Sequence, residues 1–276
     1  MNFINDLINF PFIFYGFMTS IILALGFGII SPFIISKEQS FLPPAISHSA
    51  LLGISLSLLI GATQTEVFFL TLLISTIIAF LLSYFINNNK LPPDVFIGIF
   101  LTITMASGIL INEVFLNNQA NLFHFLFGNI LLISKQDYLI TFTVVLISSV
   151  SILSLFKYWI FISYDPQSAK NQGIPVKLFQ YLFSFILTML VIASIKMTGI
   201  ILVNALALIP GLFALKLSKN IKTILIYSTS FSILTTIIGF ITASTFNLTT
   251  GVTIALVQFI LLVIGISSKK LIGKYL

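Results

Sequence analysis

The stretch FPFIFYGFMTSIILALGFGIISPFII, residues 10–35, carries no charged side chain anywhere along its length. A run of roughly 18 or more apolar residues is long enough to cross the hydrocarbon core of a bilayer as a helix. The pattern then recurs. Comparable runs occupy 46–62, 66–86, 94–116, 138–161, 178–196, 199–217, 222–245 and 251–268. Of the 276 residues, 58% are hydrophobic and only 7% are charged, which is too little charge to clothe a globular surface. The expected fold is therefore all-α: a polytopic integral membrane protein of about eight to nine transmembrane helices. Residues 1–276 read as a single transmembrane domain.

A tenth apolar stretch, LFHFLFGNILLI at 122–133, is too short to span and has a glycine at its middle. It reads as an interfacial or re-entrant segment. The lysines test that choice. All thirteen basic residues are lysines. If 122–133 does not span, Lys37, Lys90, Lys157, Lys170, Lys177, Lys216, Lys219, Lys222, Lys269, Lys270 and Lys274 fall on one side, and only Lys135 and Lys196 on the other. That eleven-to-two bias sets the lysine-rich face in the cytoplasm, with the N-terminus outside and the C-terminus inside. The net charge of +6 then encodes orientation rather than affinity for nucleic acid. The N-terminal MNFINDLINF has no basic region ahead of its apolar run, so a retained first span is expected rather than a cleaved signal peptide.

Enzyme signals are thin. The absence of cysteine removes disulfides, thiolate metal ligands and cysteine nucleophiles. There is no His-Glu-x-x-His pattern, no Gly-x-Ser-x-Gly and no phosphate-binding Gly-x-x-x-x-Gly-Lys-Ser/Thr loop. Ser47 and His48 are neighbours in sequence and point to different faces of a helix, a poor arrangement for a nucleophile and its base. A chain of little but spans conducts, transports, anchors a complex or does chemistry inside the bilayer, and any energy source must sit on another polypeptide.

Two places carry the functional reading. In LPPAISHSALLGISL (42–56), His48 enters a span just beyond Pro43-Pro44, flanked by Ser47 and Ser49. Intramembrane ionisable residues are costly and point to function, and neutral imidazole is a common ligand for zinc and its neighbours. The alternative is a histidine hydrogen-bonded to a backbone carbonyl in helix packing. Gly53, five residues on, would permit close helix contact. The second place is the polar loop SYDPQSAKNQGIPVKL (163–178). Asp165 is a good N-cap, Pro166 suits the first helical turn, Gly173 ends a helix about two turns later, and Pro175 stops it. The loop is either a plain connection or a short helix that docks on a partner ATPase. Weaker candidates are Asp94 as an N-cap or first-turn acid, Glu113 at a span end, Asn129 near His124, and Asn204 mid-span ahead of Pro210-Gly211.

The segments SHSALLGISL (47–56), DVFIGI (94–99), FLFGNIL (125–131), DPQSAKNQG (165–173) and KMTGIILVNALALIPG (196–211) occur in an order and spacing that resembles one family. It is the permease subunit of the zinc, manganese and iron branch of ATP-binding-cassette importers, with a type II importer-like fold. The resemblance runs from about residue 10 to 268. It implies a homodimer, or a pair of close relatives, with the path for the metal at the subunit interface. It also implies two ATP-binding subunits on the cytoplasmic side, an extracytoplasmic metal-binding protein, and residence in the bacterial cytoplasmic (inner) membrane. No cofactor would be bound by the chain itself; ATP would be used by the partner. His48, with Ser47, Asn129 and Asn204, would line the metal pathway. Asp165, Pro166, Ala169 and Gly173 would make the ATPase contact, and Pro43, Pro44, Gly53, Asp94, Gly98, Gly199 and Pro210 would be structural. The chain departs from the family pattern at Pro43 and Pro44, where Gly-Asp is usual, at Thr102, where a histidine is frequent, and at Asn129 and Asn247, where an acid is common. Zinc is the first expectation for the cargo, with manganese or iron next. A stand-alone secondary carrier would need intramembrane acids that this chain places only near span ends. A cobalamin or iron-chelate permease would be longer.

Overall fold

The computed structural model describes residues 9–88, 92–116, 128 and 133–272. Ten helices account for nearly all of them: α1 (Pro11–Ser36), α2 (Leu42–Leu59), α3 (Gln64–Asn88), α4 (Pro93–Ile111), α5 (Lys135–Ser154), α6 (Phe156–Tyr164), α7 (Pro166–Asn171), α8 (Val176–Leu217), α9 (Ile221–Phe246) and α10 (Thr250–Ile272). A single π-helical turn, Asn112–Leu116, prolongs α4. Nine helical segments among the described residues are long and apolar enough to cross a membrane. The expected stretch 122–133 lies outside the described residues, apart from Gly128 and Ile133.

Three boundaries differ from the sequence reading. The second span begins at Leu42, so Pro43 and Pro44 sit inside its first turn rather than breaking the chain before it. Those positions leave their N–H groups without an intrahelical partner in any helix, so proline loses nothing there. The fifth span ends at Ser154 instead of continuing to residue 161; Leu155 leaves the helical region and α6 restarts as a separate helix. The sixth and seventh spans are joined without a loop, and only Gly199, at φ 70° and ψ 166°, departs from helical geometry between them.

That single residue reverses the chain. A Cβ built on Gly26 would meet the Leu190 side chain at 3.2 Å, and one built on Gly211 would meet Ser31 at 2.6 Å. On α1 these contact points are five residues apart, roughly 7.5 Å along the axis. A straight helix would hold Leu190 and Gly211 about 31 Å apart. Both halves of α8 therefore lie against the same stretch of α1, folded back at Gly199. The required backbone region is open essentially to glycine alone.

α1 is the central helix, packed by α8, α9 and α5. A second group, α2 with α3 and α4, leans on α8, and α9 and α10 close the other side. The interior is rich in small polar residues: Ser31, Ser47, Ser49, Ser57, Ser75, Thr188, Ser228 and Ser232 are fully buried. The outside of the peripheral helices is apolar, as at Phe69, Leu73 and Ile77 on α3 or Phe259, Ile260 and Ile264 on α10. This inverts a soluble protein. In lipid there is no hydrophobic drive to hold helices together, so small and hydroxyl-bearing residues form the contacts. Many of the hydroxyls return their proton to a carbonyl three or four residues back, as Ser57 does to Gly53 (2.7 Å) and Thr188 to Ser184 (2.7 Å).

Candidate functional site

His48 is in the second turn of α2. Its neighbours Ser47 and Ser49 are fully buried, while His48 itself is half-buried. The helix is held on three sides. Gly53 lets α3 approach until a Cβ there would sit 3.0 Å from the Thr71 Cα, the close contact expected of that glycine. Ser55 donates to the Gly108 carbonyl of α4 at 2.9 Å. On the third side Ser47 donates to its own Pro44 carbonyl at 2.9 Å and reaches Asn204 Oδ1, on the second half of α8, at 3.4 Å. Two of the sequence candidates, Ser47 and Asn204, thus meet across a helix interface.

The Nδ1 atom of His48 is shielded from solvent and has no hydrogen-bond partner among the described residues. A histidine retained only for packing would satisfy that atom with a carbonyl or hydroxyl. Here that ring nitrogen is left without an acceptor or donor among the described residues. Among the described residues no three His, Asp or Glu side chains converge. Asn129 and His124 lie outside the described residues. Thr102, where the family often has histidine, is exposed on α4 and donates to the Gly98 carbonyl at 2.8 Å. Gly98 itself faces open space. Asp94 is in the first turn of α4, whose N-cap is Pro92, so it acts through the helix dipole rather than as the cap. Pro210 is accommodated within α8, and the N–H of Gly211 after it is accepted by Ser31 Oγ of α1 at 2.8 Å.

The polar loop folds as its residues dictate. Asp165 is the N-cap of α7, its carboxylate accepting the Ser168 N–H at 2.9 Å. Hydrogen bonds from Ser168, side chain and then backbone, hold that carboxyl below its ordinary value. Pro166 takes the first helical position. At the other end Gly173 has φ +81°; its N–H reaches the Lys170 carbonyl at 3.0 Å, and Ile174 N–H reaches Ala169 at 3.1 Å. These two bonds satisfy carbonyls that the last turn would leave open. Ala169 is fully buried against the bundle, while Asp165, Pro166, Gln167, Lys170 and Asn171 are exposed. The result is a rigid one-and-a-half-turn helix lying on the bundle with a free polar face.

A match to a family description covers residues 9–269: the ABC 3 transport family. The chain belongs to that family. The permease is 30% identical to the "Manganese transport system membrane protein MntC" of Listeria monocytogenes, over 96% of this chain and 93% of that one. It is 29% identical to the "Manganese import system permease protein ScaB" of Streptococcus parasanguinis, over 95% and 92%. Among solved structures it superposes on a chain of PsaBC from Streptococcus pneumoniae, in complex with Fab, with a TM-score of 0.85 and 29% identity, covering 95% of this chain and 94% of that one. The expected class, a multi-pass, non-enzymatic ABC permease, stands on these findings.

One residue of interest escaped the sequence reading. Lys37, taken only as an orientation lysine, caps the end of α1. Its ammonium is shielded and has no hydrogen-bond partner among the described residues. It lies 4.7 Å from the centre of the Trp159 ring of α6 and 4.1 Å from that of Phe183 of α8. Nothing local in ISKEQS signals this, because both rings come from distant segments; Trp159 being the sole tryptophan is the one available hint.

Proposed function

We propose that this permease forms the membrane pathway of an ATP-driven importer of divalent metal, and that manganese is its cargo. The observation that carries the reading is the family match over residues 9–269 together with manganese-import relatives aligned along nearly the whole chain. The zinc expectation from the sequence gives way to its stated alternative on that ground. The donor set agrees. The chain offers one imidazole, His48, and, one residue away, a hydroxyl and an amide oxygen that meet each other, Ser47 and Asn204. Oxygen donors suit manganese, whereas zinc favours nitrogen and sulfur in numbers.

In this reading two copies of the chain line the path, and ATP-binding subunits dock on the lysine-rich, cytoplasmic side. A metal-binding protein delivers cargo to the opposite side, and Ser47, His48 and Asn204 pass the ion weakly as access alternates. The exposed face of α7 receives the push of the ATPase. Asp165 and Pro166 fix the start of that helix, and the buried Ala169 transmits the force to the bundle. The test is reconstitution of the permease with its ATPase and binding protein in liposomes. ATP-dependent manganese uptake, lost when Asp165 and Pro166 are both replaced by Gly, is expected. Uptake that responds to zinc and ignores manganese would overturn the cargo assignment.

A further inference from the structure

We infer that Lys37, clamped between Trp159 and Phe183, is the positioning residue that transmits movement of α7 to the transmembrane helices. The inference rests on the reading of α7 as the ATPase contact.

Lys37 sits where three elements meet. It ends the central helix α1. Trp159 belongs to α6, and α6 runs through Asp165 directly into α7. Phe183 lies two turns into α8, which begins after the four residues that follow α7. The two rings also touch each other, with centroids 5.7 Å apart, and Phe179 packs edge-on against Trp159 at 5.2 Å. Phe33 of α1 meets Phe156 of α6 at 6.1 Å beside them. Two ring faces thus flank one ammonium, with further aromatic contacts among the same helices.

Packing alone does not account for a lysine here. A shielded ammonium without an acceptor is costly, and a methionine or leucine would fill the same space at less cost. What the charge adds is attraction to two ring faces at once, since each aromatic face carries negative potential. That attraction falls when either ring slides off the ammonium, so it ties the end of α1 to α6 and α8 together. A push on α7 that tilts α6 must carry Trp159, and with it α1.

The experiment uses the reconstituted complex with ATPase and binding protein and reads manganese taken up per ATP hydrolysed. Lys37→Met keeps the stem and removes the charge. The complex should assemble and hydrolyse ATP, with uptake per ATP down on the order of tenfold. Lys37→Arg should restore most of the ratio, because guanidinium stacks on aromatic faces. Trp159→Phe, which keeps aromatic packing but offers a weaker face, should fall between. An unchanged ratio in Lys37→Met overturns the inference. If that variant fails to assemble, an unchanged ratio in Trp159→Phe overturns it instead. Asp165→Gly with Pro166→Gly serves as the separate control: full coupling there removes the role of α7 and the joint with it. Loss there beside a normal Lys37→Met leaves the α7 reading standing and sinks only the joint.

Discussion

Gly211→Ala tests the closest backbone contact in the molecule's centre. A Cβ at 211 would lie 2.6 Å from the carbonyl carbon, the carbonyl oxygen and the Oγ of Ser31. Ordinary contact needs about 3.5 Å, so α1 and the second half of α8 would have to part by roughly 0.9 Å. Separation on that scale is overpacking, costing about 1–3 kcal/mol. It also stretches the 2.8 Å bond from the Gly211 N–H to Ser31 Oγ, for about 0.5–1.5 kcal/mol more. The expected total is roughly 1.5–4.5 kcal/mol, which corresponds to a fall of about 3–18 °C in apparent melting temperature in detergent. Ser31→Ala separates the two parts. It removes the hydroxyl but neither backbone atom, so alone it should cost only about 1 kcal/mol. Combined with Gly211→Ala it should give little rescue. A double variant that melts like wild type would refute the reasoning, since the clash would then be with a side chain. A Gly211→Ala variant as stable as wild type would refute it as well.

Gly199→Ala places a side chain at φ 70°, ψ 166° and should cost about 1–3 kcal/mol or abolish assembly; normal yield and melting temperature would mean the hairpin does not need glycine. His48→Ala should leave the complex assembled and lower manganese uptake about tenfold, a size in keeping with loss of one weak ligand; uptake at the wild-type level returns His48 to packing. Ser83 and Ser184 share a 2.8 Å hydrogen bond between α3 and α8. In this cysteine-free chain, Ser83→Cys with Ser184→Cys should oxidise to a single disulfide and stop transport reversibly; full uptake in the cross-linked state would show that those helices need not move apart.

Spans were legible because hydropathy is additive along the chain. Their ends were less so, for identifiable reasons. Pro43-Pro44 read as a break, yet the same residues fit a first turn, and sequence cannot tell the two apart. Leu155 gives no sign that the helix stops there; the restart follows from tertiary packing of Trp159 and Phe156. The α7 loop was readable in full, since each of Asp165, Pro166 and Gly173 acts on its own neighbours. Gly53 could be marked from its place beside His48. Gly28, Gly108 and Gly211 could not, because what makes them matter is a partner helix. For the same reason His48 was recognisable as unusual while its link through Ser47 to Asn204, 157 residues away, was not.

The kinds of contact are distributed unevenly, and Ser47, next to His48, lies where they change. At Gly108 a Cβ would come 2.8 Å from the Leu52 nitrogen, so α4 meets α2 backbone to backbone. At Gly28 one would come 2.7 Å from the Thr229 Cα, and at Gly211 2.6 Å from Ser31, which joins α1 to α9 and to α8 in the same way. Such contacts have no side chain to rearrange, and helices held by them move as one piece. Between the group of α2, α3 and α4 and the group around α1, hydrogen bonds run from side chain to side chain: Ser47 to Asn204 at 3.4 Å and Ser83 with Ser184 at 2.8 Å. A hydroxyl can exchange one acceptor for another at little cost, as Ser47 already does with Pro44. The seam between the two groups is therefore held by the more exchangeable kind of contact. Ser47, on that seam, directly precedes His48, so opening the seam would shift the turn of α2 that carries the proposed metal ligand.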